Sequence, residues 1–105
     1  MTLPTQLVLG ALLTEPTREM YGLQICTEAG LPSGTIHPIL GRLERLGWLE
    51  SRWEDIDSHK EGRPRRRYYQ LTKEGAEDAR IALARATTPV SALPGLRPRS
   101  AGGLA

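Results

Sequence analysis

PSGTIHPILGRLERLGW, Pro32–Trp48, is the stretch on which the reading of the fold turns. Its apolar residues Ile36, Ile39, Leu40, Leu43 and Leu46 recur at offsets 0, +3, +4, +7 and +10, one stripe on the helical period. Ser33 stands where its hydroxyl can accept a backbone N–H left free in a first turn. Gly47 follows the last periodic residue, where a helix ends with positive φ. The spacing therefore predicts an amphipathic helix over 33–46. Its other face is unusual: Gly34, His37, Pro38, Gly41 and Arg45 lie opposite the stripe, with Thr35 and Arg42 on its shoulder. A merely solvated face would carry the helix-favouring Glu, Lys and Gln. Two glycines and a proline lower helix stability and bare the backbone. A bare backbone that ends in two arginines suits close approach to a large anionic partner, and the reading it supports is a helix in the DNA major groove.

The surroundings of that helix complete a motif. Tyr21–Ala29 (YGLQICTEA) reads as a short helix, and Gly30-Leu31-Pro32 turns it directly into the Ser33 helix. Helix, Gly-containing turn, helix is the helix-turn-helix arrangement. After Gly47 the pattern changes to period two over Trp48–Trp53. Arg67–Leu71 (RYYQL) is a second β-prone run. Between them Glu54–Arg66 is polar throughout, and over 60–67 the residues Lys60, Arg63, Arg65, Arg66 and Arg67 oppose Glu61 alone. Two strands joined by a long basic loop after a helix-turn-helix describe a wing. Taken alone, such a loop is as well explained by solubility. Next to a helix-turn-helix it reads as a phosphate clamp, with arginine's planar fork suited to phosphate or to a narrow minor groove.

Towards the ends, Thr5 is expected to cap a first helix that closes at Glu15-Pro16. Leu7, Val8, Leu9, Ala11, Leu12 and Leu13 leave that helix hardly any polar side. Either it is the central core helix, or one side is covered by a second subunit; the small size of the domain favours the subunit. Thr72 is expected to cap a last helix over 73–86, where Ala76, Ala79, Leu83 and Ala86 line one side. From Thr87 the composition changes to Pro, Gly, Ser and Ala, so 87–105 reads as a disordered tail beyond a domain of 1–86.

Composition narrows the classes. The 105 residues allow one small domain. The formal charge of +2 is uneven: residues 1–41 hold one basic and three acidic groups, and residues 42–105 hold thirteen basic and nine acidic. Positive charge gathers beside the candidate helix. Cys26 is single, which excludes an internal disulfide and fits a small core residue in a reducing compartment. No signal peptide is visible, and the apolar run Leu7–Leu13 is too short to span a bilayer. His37 and His59 lack metal-ligand spacing with Cys26, and no phosphate loop or nucleophile motif occurs. Neither a metal, a cofactor nor an enzymatic activity is expected; His37 reads as a DNA-facing donor and His59 as a loop residue. Trp48, Trp53, Tyr68 and Tyr69 are expected to supply core in a chain without Phe, with a pocket for a planar effector as the lesser reading.

The residues also carry a resemblance. Gly34-Thr35-Ile36-His37-Pro38-Ile39-Leu40, then Arg42-Leu43-Glu44 and Gly47, resembles the G-T-L-Y-P-L-L-x-R-L-E-x-x-G signature of PadR-like transcriptional regulators. Met20-Tyr21-Gly22, Glu50–Glu54 and Arg66-Arg67-Tyr68-Tyr69-Gln70-Leu71-Thr72 with Gly75 resemble that family elsewhere, so the likeness spans roughly 6–83. His37 departs from the family's tyrosine, and the C-terminal region is short. The resemblance implies a homodimeric winged helix-turn-helix of the bacterial cytoplasm and nucleoid, usually a repressor on a palindromic operator. It also implies dimerisation through the first and last helices, and in some relatives release by phenolic acids or planar drugs.

The fold expected is thus mainly α with a two-stranded β wing. Expected DNA contacts are Ser33, Thr35, His37, Pro38, Gly41, Arg42 and Arg45 from the helix, and Lys60, Arg63, Arg65 and Arg66 from the wing. Expected dimer residues are Leu9, Leu12, Leu13, Ala76, Ala79 and Leu83. Expected partners are double-stranded DNA, a second copy of the chain and a planar aromatic effector, with no membrane. The rival readings are a winged helix used for protein–protein contact and a small-molecule sensor of the same fold.

Overall fold

A computed structural model describes residues 1–87, and the expected tail from Thr88 onward lies outside the described residues. The elements run α1 (Leu3–Leu13), β1 (Met20–Tyr21), α2 (Gly22–Ala29), α3 (Ser33–Arg45), β2 (Leu49–Trp53), α4 (Ser58–Glu61), β3 (Arg67–Leu71) and α5 (Lys73–Thr87). The strands form one antiparallel sheet in the order β1-β3-β2, with β2 and β3 as the expected wing hairpin. The third strand, β1, pairs Met20 with Tyr69 and Tyr21 with Tyr68. Two residues are too few to show an alternating pattern, so in sequence Met20 reads as the end of a polar connection and Tyr21 as the start of the following helix, which in the structure begins at Gly22.

Helix α1 begins two residues before the expected Thr5. The Thr2 hydroxyl accepts the Thr5 N–H at 3.3 Å, and Pro4 sits in the first turn, where its missing N–H costs nothing. At α3 the expected serine cap is also displaced. Pro32 is the cap residue, and its carbonyl accepts the N–H groups of Thr35 and Ile36 at 3.0 and 3.2 Å. Ser33 is the first helical residue, exposed, and makes no capping bond. The far end of α3 closes as expected: Gly47 has φ of 80°, and the N–H groups of Gly47 and Trp48 bond to the Glu44 and Leu43 carbonyls, both at 3.0 Å.

The stripe of α3 is the floor of the core. Ile36, Ile39, Leu40 and Leu43 are buried with Val8, Leu9, Leu12, Met20, Ile25, Leu49, Tyr69, Leu71 and Ala79. Leu46, the last residue of the predicted stripe, lies at the cap and is exposed. Helix α1 packs on α2, α3 and α5, so the chain covers most of it unaided. This corrects the argument that Leu9 and Leu12 need a second subunit: both are buried by their own chain, as are Ala76 and Ala79 on α5. Leu13 and Leu83 are half-buried. What α1 and α5 leave open are Leu3 (64% exposed), Leu7 (40%) and Ile81 (52%).

The start of α5 is fastened to the end of α3. Thr72 donates its N–H to the Trp48 carbonyl at 3.0 Å and its hydroxyl to that of Gly47 at 2.8 Å. The same hydroxyl accepts the Gly75 N–H at 2.9 Å, so Thr72 is the cap that the sequence leads one to expect. Gly75 is required here, because a Cβ would overlap the Trp48 backbone.

Candidate nucleic-acid interface

The outward face of α3 is built as its composition suggests. Ser33, Gly34, His37, Pro38, Arg42 and Arg45 are exposed, while Thr35 and Gly41 are half-buried. A Cβ on Gly34 would meet nothing within 4 Å, and one on Gly41 only the Arg45 Nη1, at 3.4 Å. Pro38 has no N–H to offer the Gly34 carbonyl one turn back, which leaves an acceptor near the bare end of the helix. His37 is less free than expected. Its imidazole lies against Gly22 at the start of α2, where a Cβ would stand 3.3 Å from Cε1. Glycine at 22 thus lets the two helices of the motif close on each other. Among the described residues Arg42 and Arg45 have no side-chain partner.

The wing is a different kind of surface. Its loop is not the irregular segment expected: it contains α4, capped by Asp57, whose Oδ1 accepts the N–H groups of His59 and Lys60 at 3.0 and 3.4 Å. Gly62 ends it with φ of 69°. Arg63 closes its guanidinium fork on Glu54 at 2.7 and 3.0 Å. Arg65 donates Nε–H to the Ile56 carbonyl at 2.8 Å. Arg66 lies over the Tyr21 ring, 4.2 Å from its centroid. Of the expected wing contacts, only Lys60 has an exposed side chain without a partner among the described residues.

Aromatic rings and guanidinium groups join the wing to the helix-turn-helix. Tyr21 meets Tyr68 edge-on at 5.8 Å, and Arg52 lies 5.1 Å from the Tyr68 centroid. Arg52 in turn grips Glu19 with two bonds of 2.6 and 2.7 Å, which hold that carboxyl below its ordinary pKa. On the other side of the hairpin Glu44 of α3 accepts the Ser51 hydroxyl at 2.6 Å and lies 3.8 Å from Arg67. The aromatic residues therefore divide. Tyr69 is core and its hydroxyl pKa is raised by burial. Trp48 packs against the core, but Trp53 is 58% exposed under Arg67, which corrects its expected place inside. Glu54, Tyr21 and Arg52 lie in stretches that carry the family resemblance, but nothing in sequence shows what they pair with. Their partners lie 9 to 47 positions away, beyond any local pattern.

Among the described residues no group of His, Cys, Asp or Glu is arranged to hold a metal, and no helix is long and apolar enough to cross a membrane. An open groove of about 800 Å³ runs beside Glu50, Gln70, Lys73, Glu77 and Arg80; no aromatic side chain lines it.

Solved structures share this architecture. A PadR family transcription regulator from Clostridium difficile is 25% identical with a TM-score of 0.62, over 80% of this chain and 86% of that one. PcaV, a transcriptional regulator from Streptomyces coelicolor solved with its natural ligand, is 30% identical with a TM-score of 0.60, over 81% of this chain and 57% of that one. AbfR is similar in a disulfide form, at 29% identity, TM-score 0.65, 90% of this chain and 61% of that one. Its overoxidized form, bound to DNA, is similar at 27%, 0.62, 82% and 56%. The chain thus spans about three-fifths of the length of PcaV and AbfR. No curated protein matches it in sequence. The model of the PadR-like transcriptional regulator family matches residues 8–81, and with the winged helix-turn-helix described above this chain belongs to that family.

Proposed function

We propose that the protein is a homodimeric, sequence-specific DNA-binding repressor of the bacterial nucleoid, with α3 in the major groove and the wing on the flanking backbone. The observation that carries this reading is the outward face of α3. It is nearly free of side chains at Gly34 and Gly41, and it ends in Arg42 and Arg45, whose side chains have no partner among the described residues. Bases are read by side chains that enter the groove, and arginine on guanine is the commonest such contact. Ser33, Thr35 and Pro38 would meet backbone or base edges beside them. The similarity to AbfR, solved bound to DNA, supports DNA as the partner.

For the dimer, the exposed Leu3 and Leu7 of α1 and Ile81 of α5 supply apolar surface, next to the half-buried Leu13 and Leu83. A two-fold dimer prefers half-sites about one helical turn apart, roughly 34 Å. Selection of bound sequences from a random duplex pool, followed by a salt series on the winner, tests the reading. The expected result is a palindrome whose affinity falls steeply with salt. A flat salt response removes DNA as the main partner and leaves the protein-contact reading.

PcaV, solved with its natural ligand, supports a second, compatible reading in which this chain too answers to a small molecule; the family resemblance makes a planar aromatic effector that releases the DNA the candidate. Thermal stabilisation by planar aromatic acids is the corresponding measurement.

A further inference from the structure

In sequence the wing arginines read alike, as phosphate ligands. Arg63 differs from the others in what its fork already holds. Glu54 Oε1 accepts from Arg63 Nη1 at 2.7 Å and from the Arg66 N–H at 3.1 Å, and Oε2 accepts from Arg63 Nη2 at 3.0 Å. The Glu54 N–H closes the ring on the Arg66 carbonyl at 2.7 Å. The Arg63 N–H also bonds the Ser58 carbonyl at 3.2 Å, at the start of α4. One carboxylate therefore ties together the first residue of the loop, the residue just past the cap of α4 and the last residue of the loop. Its side chain is only 14% exposed and that of Arg63 35%, so this is a part-buried hub rather than a loose surface pair. Bidentate pairs of this kind add geometry as well as attraction.

Resting on the DNA-binding reading above, we propose that Glu54 and Arg63 are a positioning pair. They set the wing so that Lys60 and Arg66 face the DNA backbone, and Arg63 is not itself a phosphate ligand. A phosphate would have to take Arg63 from a carboxylate that already fills both arms of its fork. The carboxylate is well prepared for the role: the Arg63 bonds, helped by the Arg66 N–H, hold its pKa down at about 2. Arg66 is placed twice, by Glu54 through its backbone and by the Tyr21 ring under its guanidinium.

The two roles for Arg63 give opposite signs for one substitution. If Arg63 binds phosphate, Glu54→Gln frees it and removes a nearby negative charge, so DNA binding tightens. If the pair positions the wing, Glu54→Gln weakens binding, by about two- to five-fold for an ion pair near the surface. The experiment is a salt series on the full chain with its selected duplex, for the native protein, Glu54→Gln, Arg63→Lys, Arg63→Gln, the double Glu54→Gln/Arg63→Gln variant, and Arg66→Gln. Positioning predicts that both Gln variants weaken binding alike and that the double variant is no weaker than either. Arg63→Lys, which keeps the charge and loses the fork, also weakens binding. The slope of log K against log salt stays at the native value for Arg63→Gln, but for Arg66→Gln its magnitude falls by roughly 0.9 for each subunit, about 1.8 for the dimer. Tighter binding by Glu54→Gln, or a slope lost with Arg63→Gln and restored by Arg63→Lys, overturns the pair's role while leaving the DNA reading intact. A flat response of the native protein overturns both. Arg63→Lys leaves Glu54 in place, so the assay survives if Glu54→Gln fails to fold by circular dichroism.

Discussion

Helix α3 and the wing both carry exposed arginines or lysine, and they hold their charge in opposite ways. Arg42 and Arg45 project from α3 with no partner among the described residues, whereas Arg63, Arg65 and Arg66 are each engaged by a carboxylate, a carbonyl or a ring. A free arginine loses side-chain entropy when it binds but adapts to whichever base or phosphate it meets. An engaged one has lost that entropy on folding and binds only where the scaffold has put it. A count of cations therefore measures attraction to a polyanion but not which cations are available to it.

The most severe way to break the comparison is to remove the approach of α3. Gly41→Glu should abolish DNA binding with the helix content unchanged. The new side chain meets only the flexible end of Arg45 within the protein, yet sets bulk and a negative charge on the outer face. Gel-shift and circular dichroism together decide it; a folded, tight-binding variant would falsify major-groove docking of α3.

Next in size is the contrast between the two sets of arginines. Arg42→Ala with Arg45→Ala should reduce discrimination between sequences as well as affinity, by about 1–3 kcal/mol for each base no longer read. Arg65→Ala with Arg66→Ala should weaken all duplexes by similar factors, since backbone contacts position without specifying. Competition with shuffled duplexes separates the two; an equal drop in specificity from both pairs removes the distinction.

The scaffold between the regions can be tested without DNA. Gly75→Ala forces a methyl group into the Trp48 backbone, and overpacking of this kind typically costs about 1–3 kcal/mol, with more where backbone must move. Chemical denaturation should show it, and an unchanged midpoint would mean that α5 is not held at Trp48.

Acid sharpens the comparison with the smallest effect. Glu54 falls from its ordinary pKa of 4.5 to about 2 on folding, and Glu19 is lowered by Arg52. A depressed carboxylate stabilises the fold above its unfolded pKa, and that share is lost as pH falls from 4.5 towards 2. The melting temperature of the native protein should therefore decline over that window more steeply than that of Glu54→Gln; parallel curves would show that the pair contributes nothing to the fold.

What was legible in the sequence was whatever repeats at short range. The stripe Ile36, Ile39, Leu40, Leu43 fixed both the place of α3 and its inner face. Thr72, three residues before the Gly75 N–H it accepts, was equally local. Capping was legible only to within one to three residues, because Pro32 and Pro4 shift where a helix can begin. Pairings between distant residues were not legible: Arg52 with Glu19, Arg63 with Glu54, or the strand Met20–Tyr21, which exists only because Tyr68 and Tyr69 return beside it. The expected surplus of apolar surface on α1 went astray for the same reason. Sequence shows how much of a helix is apolar, not how many other helices arrive to cover it.

The Trp48 carbonyl receives the Thr72 N–H from one side while its neighbour Gly47 receives the Thr72 hydroxyl. In mechanical terms this is a double weld: the end of α3 and the beginning of α5 are joined through two successive peptide carbonyls. In a dimer assembled on α5 the weld makes each subunit a rigid caliper jaw. The gap between the jaws would then be set by residues that never approach a base, and substitutions along α5 would retune which operator spacing is measured while leaving the letters read within each half-site unchanged.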